Sequence, residues 1–199
     1  LFLSANERDV VDAMQQGYPA GQVLPSTVLD DETDAELRIA FDFDGVVADD
    51  SAEQIFQQKG IEAFYDSEVS RADTAINSGP LGELFRKLGH LRQLEDEREE
   101  LDHTYKRFLK TAIVTARSAP AHKRVVTTLR QWNISVDETH FLGGMDKGRI
   151  LSILHPHIFF DDQQHPHLDA AREYTPSVHI PFGIAGNRKL HANFTDRND

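Results

Sequence analysis

Two aspartates one residue apart, Asp42 and Asp44, close the apolar run Leu37-Arg38-Ile39-Ala40-Phe41, and Gly45 follows at once. Side chains alternate along a strand, so both carboxylates leave one face at its C-terminal tip. That edge is where open α/β sheets bind ligands. Like charges held this close call for a divalent cation or for one strongly raised pKa. Other apolar runs also end in polar groups: Thr115 after Ala112-Ile113-Val114, and Asp161-Asp162 after His157-Ile158-Phe159-Phe160. Lys147 stands in front of a helical pattern, after Phe141-Leu142 and Gly143-Gly144. Together they offer acidic oxygens for a hard cation, a hydroxyl and an ammonium for anionic oxygens, and a free carboxylate for attack. That set suits phosphoryl transfer. Singly, each has a plainer reading: Thr115 as a helix cap, Lys147 as an exposed lysine, Arg117 as a substrate anchor or as the partner of an acidic neighbour. His155, His157, His165 and His167 flank the acidic pair, but their places beside prolines and in loops argue against a zinc site.

The elements that must position these residues alternate between strand and helix, which predicts an α/β fold with a doubly wound parallel sheet. Leu1-Phe2-Leu3 reads as a buried strand, and Ser4 with Glu7 as a capping box opening a helix that stops near Gly17. An offset of 157 sets Phe2 on Phe159, Asp12 on Asp169, Ala13 on Ala170 and Pro19 on Pro176, with Ser4 and Ala5 in the places of Asp161 and Asp162. Residues 1–36 therefore read as a strand-helix-strand, the remnant of a degenerate upstream half, followed by an acidic linker from Pro25. A chain that opens in mid-strand without methionine reads as a fragment of a longer, duplicated protein. Residues 37–186 would form the catalytic domain, with a small helical insertion at about 48–78 over the strand tip. Leu81, Leu84, Phe85, Leu88, Leu91 and Leu94 fall on one face of a helix opened by Gly79-Pro80 and are expected in the core. The charged run 95–102 reads as its solvated end, and 187–199 as a polar tail.

With 199 residues, 39% hydrophobic and 9% aromatic, the composition is that of a soluble globular domain. A formal net charge of −12 argues against nucleic acid polymers and anionic membrane surfaces as partners. The absence of cysteine excludes disulfides and thiolate chemistry. No apolar run has the length of a membrane span, so a cytoplasmic protein is expected.

Asp42-x-Asp44-Gly45-Val46-Val47, Thr115, Lys147 and Asp161-Asp162 resemble, in order, motifs one to four of the haloacid dehalogenase-like (HAD-like) phosphohydrolases. Residues 37–50, Gly79-Pro80-Leu81, Val114-Thr115-Ala116-Arg117-Ser118-Ala119 and 156–163 are similar to the type I cytosolic 5′-nucleotidases. Gly45 departs from the animal members, which tend to carry a small non-glycine residue there. The resemblance implies a HAD-like Rossmannoid core with a small helical cap, and Mg²⁺-dependent hydrolysis of nucleoside 5′-monophosphates. Asp42 would be the nucleophile and a metal ligand. Asp44 would be the acid and base, and its main-chain carbonyl a metal ligand. Asp162 would bind Mg²⁺ directly, with Asp161 as its neighbour. Thr115, Ala116, Arg117 and Lys147 would hold the phosphoryl group, and Gly45 would let the backbone approach it. Phe56, Phe64 and Tyr65 either stack a nucleobase or form the insertion's own core. Two rivals are a phosphatase for another small phosphomonoester and a receiver-like or inactive phosphoryl-binding fragment. A receiver has its acidic cluster before Thr and Lys, whereas here a second acidic pair follows Lys147. Homo-oligomerisation is left open.

Overall fold

Seven strands, β1 (Phe2–Ser4), β2 (Ala20–Val23), β3 (Leu37–Phe41), β4 (Leu109–Thr115), β5 (Glu138–Phe141), β6 (Ile158–Asp161) and β7 (Ser177–His179), form one sheet in the order β1-β2-β7-β6-β3-β4-β5. The computed structural model describes residues 1–29, 31 and 33–186. The expected polar tail at 187–199 lies outside the described residues.

β3 sits between β4 and β6 and is parallel to both, with Ala40 opposite Ala112 on one side and Phe159 on the other. Alternation splits these strands between two apolar layers. Phe41, Ile113 and Phe160 face α3 (Gly82–Leu101) and α4 (His122–Gln131), packing with Phe85 and Val125. Ala40, Val114 and Phe159 face α5 (Gly148–Leu154) and α6 (Asp169–Ala171), packing with Leu151 and Ala171. Phe41 stacks on Phe160 and meets Phe85 edge-on, both at 5.1 Å between ring centroids. Covered on both faces, the central strands can be nearly all apolar.

The expected all-parallel sheet needs correction at one seam. β2 pairs antiparallel with β7, Gln22 opposite His179 and Val23 opposite Val178, while β1 and β2 are parallel to each other. β2 therefore ends at the edge where β3 begins, and the acidic linker need not cross the sheet. Gly21 makes the close approach possible: a Cβ there would stand 2.4 Å from Val178 Cγ1. The pairs Phe2–Ala20, Leu3–Gly21 and Ser4–Gln22 become, on adding 157, the pairs Phe159–Ser177, Phe160–Val178 and Asp161–His179 of β6 and β7.

Four local expectations also change. Leu1, Phe2 and Leu3 are 54%, 42% and 39% exposed, because β1 lies at the end of the sheet. Asn6, not Ser4, caps α1 (Glu7–Gln15), accepting from Arg8 N at 3.1 Å, while Ser4 Oγ accepts from Asn6 N. Along α3 only the first half of the leucine stripe is covered: Phe85 is buried, whereas Leu91 and Leu94 are exposed. Glu95, in the run read as solvated, is buried instead, accepting from Tyr105 Oη (2.7 Å), Phe108 N (3.0 Å) and Leu109 N (3.2 Å) at the start of β4. Those amide donors at a sheet edge need an acceptor, and a carboxylate supplies it.

Candidate active site

Asp42 follows β3 directly, its amide still bonded to Phe160 O at 2.8 Å, so the central strand aims its carboxylate over the C-terminal edge. A tight turn then reverses the chain: Ala48 N donates to Phe43 O (2.8 Å), with Phe43, Val46 and Val47 buried beneath. Gly45 makes the bend at φ +73°, and a Cβ on it would stand 2.4 Å from Asp162 Oδ2. Glycine here lets the turn close on the second acidic pair.

Lys147 caps the front of α5 and is fully buried, its Nζ 2.7 Å from Asp42 Oδ2 and 2.7 Å from Asp161 Oδ2. Two carboxylates from different strands thus share one ammonium. Asp161 Oδ1 also accepts from Gln163 N (2.7 Å), and His167 Nδ1 lies 3.2 Å from the same oxygen. Burial opposes the Asp161 charge, but Lys147 and His167 outweigh it and hold its pKa below the ordinary value. Asp42 goes the other way, pushed up to about 6 by burial and by the Asp161 charge against the pull of Lys147.

Asp162 is 2% exposed and forms no ion pair among the described residues. Its Oδ1 is without a hydrogen-bond partner among the described residues. Burial, then the Asp161 and Asp42 charges, push its pKa well above the usual carboxylate range. A buried, unpartnered carboxylate oxygen beside two other carboxylates fits a hard divalent cation. Asp42, Asp162 and the main chain of Asp44 are the groups that the sequence reading expects to hold one. Asp42, Asp161 and His167 also bring ligand atoms within 4.8 Å of one another. Lys147 already bridges the first two of these.

Above this floor opens a cavity of about 420 Å³ lined by Asp42, Asp44, Thr115, Ala116 and Arg117 on the sheet side. Thr115 ends β4, buried, its Oγ1 accepting from Arg117 N at 3.3 Å. Arg117 pairs with acidic neighbours: Nε donates to Asp44 Oδ2 (2.6 Å), Nη2 to Asp44 Oδ1 (2.8 Å), and Nη1 to Glu68. Burial works against its charge, but Asp44 and Glu68 outweigh it and raise its pKa further. The opposite wall is α2 (Ser51–Ser70), with Phe56, Phe64 and Tyr65 facing the cavity. Gly60 breaks α2 at φ 83°, ψ −179°, a conformation open to glycine alone. Phe56 and Phe64 nevertheless meet edge-on at 6.4 Å, and Tyr65 Oη lies 3.1 Å from Ser118 Oγ across the mouth.

The structure therefore gathers Asp42, Asp44, Gly45, Thr115, Ala116, Arg117, Lys147, Asp161 and Asp162 at one edge of the sheet. Of the four histidines, His167 reaches the cavity, His157 binds Arg38 N at 3.0 Å at the opposite edge, and exposed His165 pairs with Asp169. Sequence reasoning missed His167, Gln163, Gly143 and Gly144 as cavity residues, and Glu68 and Arg124 behind them. His167 is brought back by a wide helical turn, Gln164–Leu168, which has no signature in side-chain type. Gly143 and Gly144, both at positive φ, did carry a signal, as a glycine pair ending a strand.

An α/β sheet with an acidic cluster, a shared lysine and a threonine at the ends of its central parallel strands suits phosphoryl transfer. A family model for 5′-nucleotidase matches residues 1–187, and the chain belongs to that family. It is 32% identical over 176 residues to human cytosolic 5′-nucleotidase 1B, a match covering 86% of this chain and 28% of that protein. The chain thus spans little more than a quarter of the length of this relative. No solved structure matches it. Among the described residues, no helix is long and apolar enough to cross a membrane.

Proposed function

We propose that this chain hydrolyses nucleoside 5′-monophosphates to nucleoside and phosphate, in a Mg²⁺-dependent reaction through an aspartyl-phosphate on Asp42. What carries the reading is Asp42 itself: a carboxylate at the tip of the central strand, in the floor of a cavity, with its Oδ2 held 2.7 Å from a buried lysine. Family membership and the cytosolic 5′-nucleotidase relative support the nucleotide as substrate. On this reading the fold is HAD-like, and α2 is the cap.

Asp42 attacks phosphorus in line; the bond from Asp42 oxygen to phosphorus forms as the bond to the ribose 5′ oxygen breaks. Asp44 gives its proton to the departing oxygen, then takes one from the water that hydrolyses the aspartyl-phosphate, releasing phosphate and restoring Asp42. Mg²⁺, when bound by Asp42, Asp162 and the Asp44 carbonyl, offsets the charge of the acidic floor and of the phosphate. Lys147 spends two of its three donors on Asp42 and Asp161, which orients the nucleophile, and leaves the third for a phosphoryl oxygen. Thr115 Oγ1 and the Ala116 amide would serve the same oxygens, and one such donor is worth about 3 kcal/mol of barrier. Phe56, Phe64 and Tyr65 offer ring faces to the base.

A colorimetric phosphate assay over a panel of nucleotides and simple phosphomonoesters tests this. Release should depend on Mg²⁺, favour nucleoside 5′-monophosphates and vanish in Asp42→Asn. Equal release from all monoesters, or turnover by Asp42→Asn, would overturn it.

A further inference from the structure

Glu68 lies on the inner side of α2 with no side-chain exposure, and its two oxygens go to two arginines. Arg124 Nη1 takes Oε1 at 2.8 Å and is tied through Nε to Thr74 O at 2.9 Å. Arg117 Nη1 takes Oε2 and also reaches Ala121 O at 3.3 Å. The other edge of the Arg117 guanidinium forks onto Asp44, and the rings of Phe43 and Phe64 each lie 5.6 Å from its central carbon. The Arg124 pair ties Glu68, and with it α2, to the Thr74 backbone. The second pair does something else: it fixes the rotation of the guanidinium whose far edge grips Asp44.

We propose that Glu68 is a positioning residue: from α2 it holds Arg117 in the orientation whose fork sets the plane of the Asp44 carboxylate toward the leaving oxygen. This rests on the reading of Asp44 as proton donor given above. The Asp44 contact survives the donor state, because a carboxylic acid keeps acceptor capacity after one oxygen takes the proton. Proton donation then depends on α2 being seated over the cavity. A planar fork is what the task requires, since a lysine in the place of Arg117 would be a point charge unable to fix a plane.

The test compares kcat/KM for a nucleoside 5′-monophosphate with that for its analogue carrying sulfur as the 5′ bridging atom. The analogue leaves as a thiolate, the conjugate base of an acid with a pKa of about 8.5, and needs little proton donation. Glu68→Gln should lower kcat/KM for the oxygen ester about 10- to 100-fold, part of what a general acid supplies, and that for the sulfur ester less than about 3-fold. Arg117→Lys should show the same split, and Glu68→Asp should recover part of the loss. If Glu68→Gln fails to fold, Arg117→Lys decides. Parallel losses on both esters in a folded variant, or no loss on either, would overturn the inference and leave the nucleotidase reading standing. A wild-type chain releasing phosphate from neither ester would instead sink that reading, and this inference with it.

Discussion

Replacing Asp162 with asparagine should make the metal-free protein more stable and blind to Mg²⁺. In the absence of metal, Asp162 is a buried carboxylate with an unpartnered oxygen and two like charges near it. Its pKa in the folded state is raised, so above about 3.8, the value for a free side chain, the folded chain binds a proton more tightly than the unfolded one. Stability contributed by that proton is lost as pH rises, and the cost is present at neutral pH in the metal-free protein. Asparagine never carries the charge. The amide is still a buried polar group but a neutral one, and shedding the uncompensated charge is worth about 1–3 kcal/mol; about 1 kcal/mol moves the melting point of a chain this size by about 2–4 °C. In EDTA at pH 7.5, Asp162→Asn should therefore melt about 2–12 °C above the wild type. Mg²⁺ at a hundred times its dissociation constant adds about 2.7 kcal/mol to a protein that binds it only when folded. The wild type should gain about 5–11 °C from it, and the variant almost nothing. Differential scanning fluorimetry with and without Mg²⁺ reads both quantities. A variant that melts below the wild type in EDTA, or gains as much from Mg²⁺, would refute the reasoning.

Two other outcomes follow from the geometry. Phe56→Ala should raise KM for a nucleotide about 5- to 150-fold with kcat nearly unchanged, since base stacking is worth about 1–3 kcal/mol; steady-state kinetics separates the two constants. Asp137, which accepts from Thr111 N (2.9 Å), Arg92 Nε (3.1 Å) and Arg107 Nη1 (3.2 Å), is held below its ordinary pKa by these partners despite burial. Its contribution is present above about pH 3.8 and lost on acidification through the lower folded value. Asp137→Asn should cost about 1–3 kcal/mol at pH 7 and flatten the acid limb of a urea-unfolding series.

The residues nearest the chemistry were the most legible, and for one reason. Asp42, Thr115 and Asp161 each end a run of apolar residues, and in a parallel sheet those ends meet at one edge, so spacing within each run was enough to gather them. What was hidden depended on neighbours distant in sequence. Strand direction leaves no mark on side-chain alternation, so the antiparallel seam between β2 and β7 could not be read. The leucines of α3 repeat at helical spacing whether or not anything covers them, and Leu91 and Leu94 have no cover. Leu1 to Leu3 are apolar in the manner of a core strand, yet lie at the rim. Glu68 and Glu95 look like any other acid in a charged helix, and only the arginines and amide donors they meet reveal them as interior groups.

The reversal at the β2–β7 seam also divides the labour of the molecule. β1 and β2 point their C-terminal tips away from the pocket, so Ser4 stands on the far rim and contributes no group to the reaction. The first 23 residues serve as a buttress: Gln22 pairs with His179, whose Nε2 donates to the Asp162 carbonyl at 3.0 Å. Disturbing this flank would reach the acidic floor mechanically, through β7, by loosening the backbone that carries Asp162.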